Sequence, residues 1–297
     1  METRWNMKSK EKKEYPWINP IGGYGDMLML SGVLKLVVDK NPENRFNLVR
    51  RTNYGTFLDN HPAIASIGYP SKNARMVRSD YWSMEPLGPG SQRAFQILAR
   101  SFGLQTPVEE TLYVPFKIPD DPLLWKILPE NQKTVLIAPA SDSPRKMMNP
   151  IIWDQVTEML KGDGIFVVQA GRTRDIHIRP AYSLLGLTTP KQLLGLLGKV
   201  HGVVTVDNFI MHASHYTGTP TIVLWGATNN QVYGYQGQTH IQMPKACGLS
   251  EFDDCMAPSK NKETFLYPTP CPHKERHCLD QMRPDVLYNS IRLLLGN

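Results

Sequence analysis

TVLIAPASDSPRKMMNPIIWDQVTEMLKGDGIFVVQA, residues 134–170, carries the decision about the fold. Thr134 to Ala138 is a short β-branched and apolar run that reads as a strand. Pro150 to Leu160 reads as a helix, and Ile165 to Ala170 as a second strand. Strand, helix, strand is the unit from which parallel sheets with helical crossovers are built. Downstream the rhythm continues with a helix over Pro190–Leu197, a strand over Val203–Val206, a helix starting at Phe209–Tyr216 and a strand over Thr221–Trp225. Pro284 to Leu295 reads as a last amphipathic helix with proline in its first turn.

Upstream, a short apolar stretch reaches Ile21, turns through Gly22-Gly23-Tyr24-Gly25, and gives way at Asp26 to an amphipathic run ending near Asp39. Pro20 cannot donate a ladder hydrogen bond, so the first strand should be short. Arg45–Arg51 and Ile64–Tyr69 read as strands, Met76–Trp82 as a weaker one, and Ser91–Phe102 as a helix. Thr106 to Gln132 is rich in proline and acid, with Pro107, Pro115, Pro119, Pro122 and Pro129. The expectation is an α/β chain of two domains, 1–130 and 131–283. A C-terminal helix, 284–297, would pack back on the first.

Composition excludes other classes. With 297 residues, 41% hydrophobic and four cysteines, the chain is neither disordered nor disulfide-dense. The net charge of +6 is shared equally by the two halves, without the clustering typical of nucleic-acid binders. It suits an anionic partner, such as a diphosphate or an acidic membrane surface. Residues 1–14 mix lysines and glutamates without an apolar core, which does not read as a secretory signal. A cytoplasmic protein is expected, peripheral at the inner membrane surface if it serves a membrane. Asn208 to Pro244 contains no Lys, Arg, Asp or Glu, yet is dense in Gly, Thr, Asn, Gln, His and Tyr. Such a stretch suits a cleft wall that hydrogen-bonds a ligand, and equally a well-packed loop region.

Taken in order, Gly22-Gly23-Tyr24-Gly25-Asp26, Lys146 seven residues before Trp153, Leu185-Gly186-Leu187-Thr188-Thr189, Asp207 five residues before His212, and Gly218-Thr219-Pro220-Thr221 with Leu224-Trp225-Gly226 resemble the heptosyltransferases of glycosyltransferase family 9. The resemblance implies the GT-B architecture of two facing Rossmann-like domains. It also implies inverting transfer of a sugar, usually from ADP-heptose, to a hydroxyl acceptor on a glycan or protein, with no catalytic cofactor.

On that resemblance Asp26 is the candidate general base; by itself it also reads as a helix N-cap. Lys146 is the candidate diphosphate ligand, with Ser141 beside it, and a solvated basic loop is the alternative. Asp207, Asn208, Met211 and His212 would bring a helix N-terminus to the diphosphate. There the family reads Asp-Ser-Gly-Pro-x-His, whereas here Phe209 stands in place of the glycine. Gly25, Asp175 and Thr188 complete the expected nucleotide-sugar site. Cys247, Cys255, Cys271 and Cys278 crowd near the C-terminus, where a structural zinc or iron is the sharper reading and free thiols or oxidised pairs the plainer ones. Family members that glycosylate autotransporter proteins carry a comparable iron-binding cysteine finger.

Overall fold

In the computed structural model, residues 14–50, 53–84, 92–245, 255 and 278–296 are described. Among them the strands form two sheets, and every ladder in both is parallel. The first contains β1 (Trp17–Ile18), β2 (Phe46–Val49), β3 (Ile64–Gly68) and β4 (Met76–Val77), in the order β3-β2-β1-β4. As Pro20 demands, central β1 is only two residues long. The second contains β5 (Thr134–Ala138), β6 (Phe166–Gly171), β7 (Tyr182–Leu185), β8 (Gly202–Val206), β9 (Thr221–Trp225) and β10 (Thr239–Gln242), ordered β10-β9-β8-β5-β6-β7. Both sheets therefore reverse direction beside their first strand, between β1 and β4 and between β5 and β8. Ligands of open α/β sheets bind at such switch points, outside the carboxyl ends of the strands.

Eight helices occur among the described residues: α1 (Tyr24–Lys40), α2 (Ala94–Ser101), α3 (Pro122–Trp125), α4 (Pro150–Gly162), α5 (Pro190–Leu197), α6 (Phe209–Thr217), α7 (Asn230–Tyr233) and α8 (Pro284–Leu294). Their starts follow local chemistry. The Asn149 side chain caps α4 and Thr189 caps α5 through a reciprocal pair with Gln192, each before a proline; Asn208 caps α6.

Helices cover both faces of the second sheet. On one face Leu193, Leu194 and Leu197 of α5 and Met211 and Ala213 of α6 join an apolar cluster that continues into α1, with Met27, Leu30 and Leu34, and into α2. On the other, Trp153, Val156 and Leu160 of α4 pack with Leu287 and Ile291 of α8. The last helix thus lies against α4, β8 and β9, not back on the first half as expected. Its buried stripe completes the outer layer of the second sheet. α1 is packed so closely against the Thr111–Leu112 segment that a methyl on Gly32 would meet the Thr111 carbonyl oxygen at 2.2 Å. No helix among the described residues is long and apolar enough to cross a membrane.

Candidate active site

The two switch points meet. α1 follows β1 and α6 follows β8, and their N-terminal turns pack on one another. At Gly25 they come so close that a methyl there would stand 2.6 Å from His212 Cδ2. The Tyr24 and Phe209 rings lie 5.6 Å apart across the same contact. Phe209, in the family's glycine position, is part of the seam between the halves.

The glycine turn shapes the Asp26 carboxylate. Gly22 has φ +108°, and a side chain on it would fall 2.3 Å from Asp26 Oδ2. With that space open, the carboxylate folds back, and Oδ2 accepts the Gly23 N–H at 2.8 Å. Asp26 is therefore not the N-cap, a place Gly23 takes, but the third helical residue, closing the cap from inside. Its other oxygen accepts the Tyr81 hydroxyl at 3.0 Å. Burial raises the Asp26 pKa above the ordinary carboxylate range; the Gly23 and Tyr81 hydrogen bonds and the Lys146 charge oppose the rise, and Asp207 adds to it.

From the second half, Lys146 sits at the end of a short 3-10 turn, Pro144–Lys146, in the loop after β5. Its Nζ lies 2.8 Å from Asp207 Oδ2, with 22% of the lysine side chain and 9% of the aspartate exposed. Burial pushes Asp207 up, but Lys146 and Thr228 outweigh it and hold the carboxyl below its usual range. The loops after β5 and β8 are pinned together across the switch point. Ser141 Oγ donates to the Asp207 carbonyl at 2.9 Å, and the Asn208 amide donates to the Ala138 and Ala140 carbonyls at 3.1 and 2.8 Å.

The structure brings Asp26, Lys146, Asp207, Gly25 and His212 together at this seam. It gives several other candidates work within the fold. Asn208 spends its amide on those carbonyls and its oxygen on the Ile210 N–H, 2.8 Å, as helix cap. Met211 is fully buried in the core. His212 is neutral at pH 7, because burial lowers its pKa to about 4, and its Nδ1 lies 2.7 Å from the Tyr235 hydroxyl. The Asp175 carboxylate accepts the Arg172 N–H at 2.7 Å and closes its own turn. Half-buried Thr188 lies beyond Gly186, whose N–H donates to the Gly171 carbonyl at 2.9 Å, so the Asp175 and Thr188 loops are neighbours. Tyr81, Tyr233 and Tyr235 were not anticipated as site residues; the uncharged stretch from Asn208 to Pro244, which holds the last two, was the available signal.

Cys247 and Cys271 lie outside the described residues. Cys255 and Cys278 are half-buried and flank one loop. The Cys255 N–H donates to the Ala227 carbonyl at 3.0 Å, and Cys278 Cβ lies 3.5 Å from where a Gly226 methyl would stand. No group of three or more metal-ligating side chains occurs among the described residues.

The sequence model of glycosyltransferase family 9 (heptosyltransferase) matches residues 91–247, more than half of the chain. The chain belongs to glycosyltransferase family 9. The matched span of this glycosyltransferase contains Lys146, Asp175, Thr188 and Asp207 to His212, whereas Asp26 lies before it. Comparison with curated proteins gives no match. Among solved structures, the chain is similar to a family 9 glycosyltransferase of Veillonella parvula, at 12% identity over 95% of this chain and 97% of that one, TM-score 0.67. It is likewise similar to the ADP-heptose lipopolysaccharide heptosyltransferase II of Escherichia coli, at 12% identity, 95% and 98% coverage and TM-score 0.63. A third is the iron-containing dodecameric glycosyltransferase TibC of enterotoxigenic E. coli, at 15% identity, 95% and 76% coverage and TM-score 0.66. TibC in complex with ADP-D-β-D-heptose matches at 16% identity, with the same coverage and TM-score 0.67. These likenesses agree with the GT-B reading of two parallel α/β halves.

Proposed function

We propose that this glycosyltransferase moves a heptose from ADP-heptose to an acceptor hydroxyl with inversion, the acceptor being a glycan such as a lipopolysaccharide core. The observation that carries the reading is the meeting of Asp26, from the first sheet's switch point, with Lys146 and Asp207 from the second's. Asp26 takes the acceptor O–H proton. The freed oxygen forms its bond to the anomeric carbon as the bond from that carbon to the diphosphate breaks. ADP departs with the bonding pair, and its negative charge falls to Lys146 and the N-terminal end of α6. Neutral His212 brings no positive charge to that task. Its place is to set how closely α6 approaches α1.

The donor is tested by a thermal-shift panel of nucleoside diphosphates and their sugars. A ligand that binds only the native state at a hundred times its Kd adds about 2.7 kcal/mol of stability. ADP and ADP-heptose are expected to raise Tm above the response to UDP, GDP and their sugars. Equal responses across the panel, or none, would remove the ADP-heptose assignment.

We further propose a structural zinc or iron held by Cys247, Cys255, Cys271 and Cys278. What supports it is the convergence of Cys255 and Cys278 on the Gly226–Ala227 loop, together with the iron reported in TibC. Ordered ligation there would tie the segment before α8 to the end of β9. Elemental analysis of the purified protein is expected to find close to one equivalent of metal or more, lost on Cys255→Ser with Cys278→Ser; metal-free wild-type protein would dismiss the site.

A further inference from the structure

We infer that Tyr81 is a positioning residue for Asp26: its hydroxyl, delivered from the far side of the first sheet's switch point, clamps with the Gly23 N–H the two oxygens of the carboxylate in one orientation. This deepens the reading of Asp26 as base and rests on it.

The clamp is built within the first half and backed by the second. Tyr81 opens a short 3-10 turn, Tyr81–Ser83, soon after β4, while Asp26 follows β1, so two neighbouring parallel strands present the pair to each other. The segment is fixed below by Ser79, whose hydroxyl donates to the Asn19 carbonyl at the end of β1, 2.7 Å. It is fixed beside by Arg78, whose Nε donates to Asp80 Oδ1 at 3.1 Å. Tyr81 is 7% exposed, and its ring lies edge-on to Trp82, centroids 5.0 Å apart, and to Tyr233 of α7, 6.4 Å.

α7 belongs to the second half, and Arg93 of the first half holds it there. The guanidinium donates to the Gln231 carbonyl at 3.3 Å and to the Gly234 carbonyl. Glu110 grips the same guanidinium at 2.6 and 2.7 Å. Apposition of the halves thus seats Tyr233 behind Tyr81, and Tyr81 against the carboxylate.

The groups that bear on Asp26 are Gly23 and Tyr81 from its own half, and Lys146 and Asp207 from the other. His212, packed on Gly25, is neutral. Burial, and then the Asp26 charge, push the Tyr81 hydroxyl well above the usual phenol range, so it stays protonated and donates. A donor bonded to the charged form of a carboxyl favours that form.

The test is a titration of the full-length protein carrying ¹³C-labelled aspartate carboxyls, with the Asp26 resonance assigned by its loss in Asp26→Asn. In Tyr81→Phe, which keeps the ring and removes only the hydroxyl, the Asp26 midpoint is expected to rise by about one pH unit. A role confined to packing would leave it where it is, so an unmoved midpoint overturns the inference. Should Tyr81→Phe fail to fold, Ser79→Ala carries the test by loosening the segment that aims the tyrosine. A raised midpoint supports the clamp, and an unchanged one overturns it. Failure of the underlying base reading is seen on a different variant: it is marked by Asp26→Asn still releasing ADP from ADP-heptose in the presence of acceptor at the wild-type rate.

Discussion

Asp26→Asn is expected to lower kcat about 10²- to 10⁴-fold, the range a positioned general base contributes, while leaving ADP affinity unchanged. Asparagine keeps the shape of the side chain and an oxygen for the Gly23 N–H, so the start of α1 survives. What it lacks is a place for the acceptor proton. The same substitution should not weaken the fold. Burial disfavours the charged carboxylate, so its folded-state pKa is raised and at neutral pH the ionised group costs stability. The sign is fixed by linkage: a carboxyl with a raised folded pKa makes the native state relatively less stable once pH passes the unfolded value, and a neutral amide removes that cost. Asp26→Asn is therefore expected to match or exceed wild type in Tm at pH 7 and to match it at pH 4. Lost turnover with kept or gained stability is what a side chain retained for chemistry produces. Turnover within tenfold of wild type, or a fall in Tm of many degrees with activity retained per folded molecule, would remove Asp26 from the reaction.

How much of this was legible in the sequence depended on whether the signal was local. β5, α5 and β9 match their expected ranges residue for residue. Buried parallel strands are continuous apolar runs, and α5 announces itself by threonine, proline and a glutamine three residues after the cap. β7 and β10 went unread. Both are edge strands with polar, half-exposed residues, and a strand paired on one side only needs no continuous apolar run. Met76–Trp82 is the instructive case: two residues pair as a strand, and the rest turns to bring Tyr81 inward. The bond that gives Tyr81 its place spans 55 residues, and no short motif encodes it. Asn208, Asp175 and Met211 show a different limit, since each also has work within the fold. A polar residue in a loop after a strand looks available to a ligand, but the text of the sequence does not show which backbone groups nearby need a partner. Asn208 and Asp175 are consumed by such groups. Phe209 is different again: it departs from the family's glycine, and the structure puts its ring into the contact between the halves.

Lys146→Ala is expected to lower kcat about 10²- to 10³-fold, as removal of one preorganised stabiliser of developing charge does, and unlike Asp26→Asn it should also weaken ADP binding. The loss has two sources that can be separated. One is the missing cation at the diphosphate. The other is Asp207, which is 9% exposed and loses the ion-pair partner that holds its carboxyl below the usual range. Left charged, it repels the incoming diphosphate; left neutral, it must take up a proton, so stability once kept down to low pH fades as pH falls from a higher value. A second substitution, Asp207→Asn, removes that repulsion without restoring the cation. ADP affinity in Lys146→Ala/Asp207→Asn is thus expected to exceed that of Lys146→Ala alone, while kcat stays low, because the leaving charge still has no lysine to meet it. Non-additivity of that sign is the mark of two groups acting on one ligand. An ADP titration of Lys146→Ala that overlays wild type would place the lysine outside the diphosphate site. Additive effects in the double variant would mean that Lys146 and Asp207 act on ADP independently, and would remove the repulsion argument.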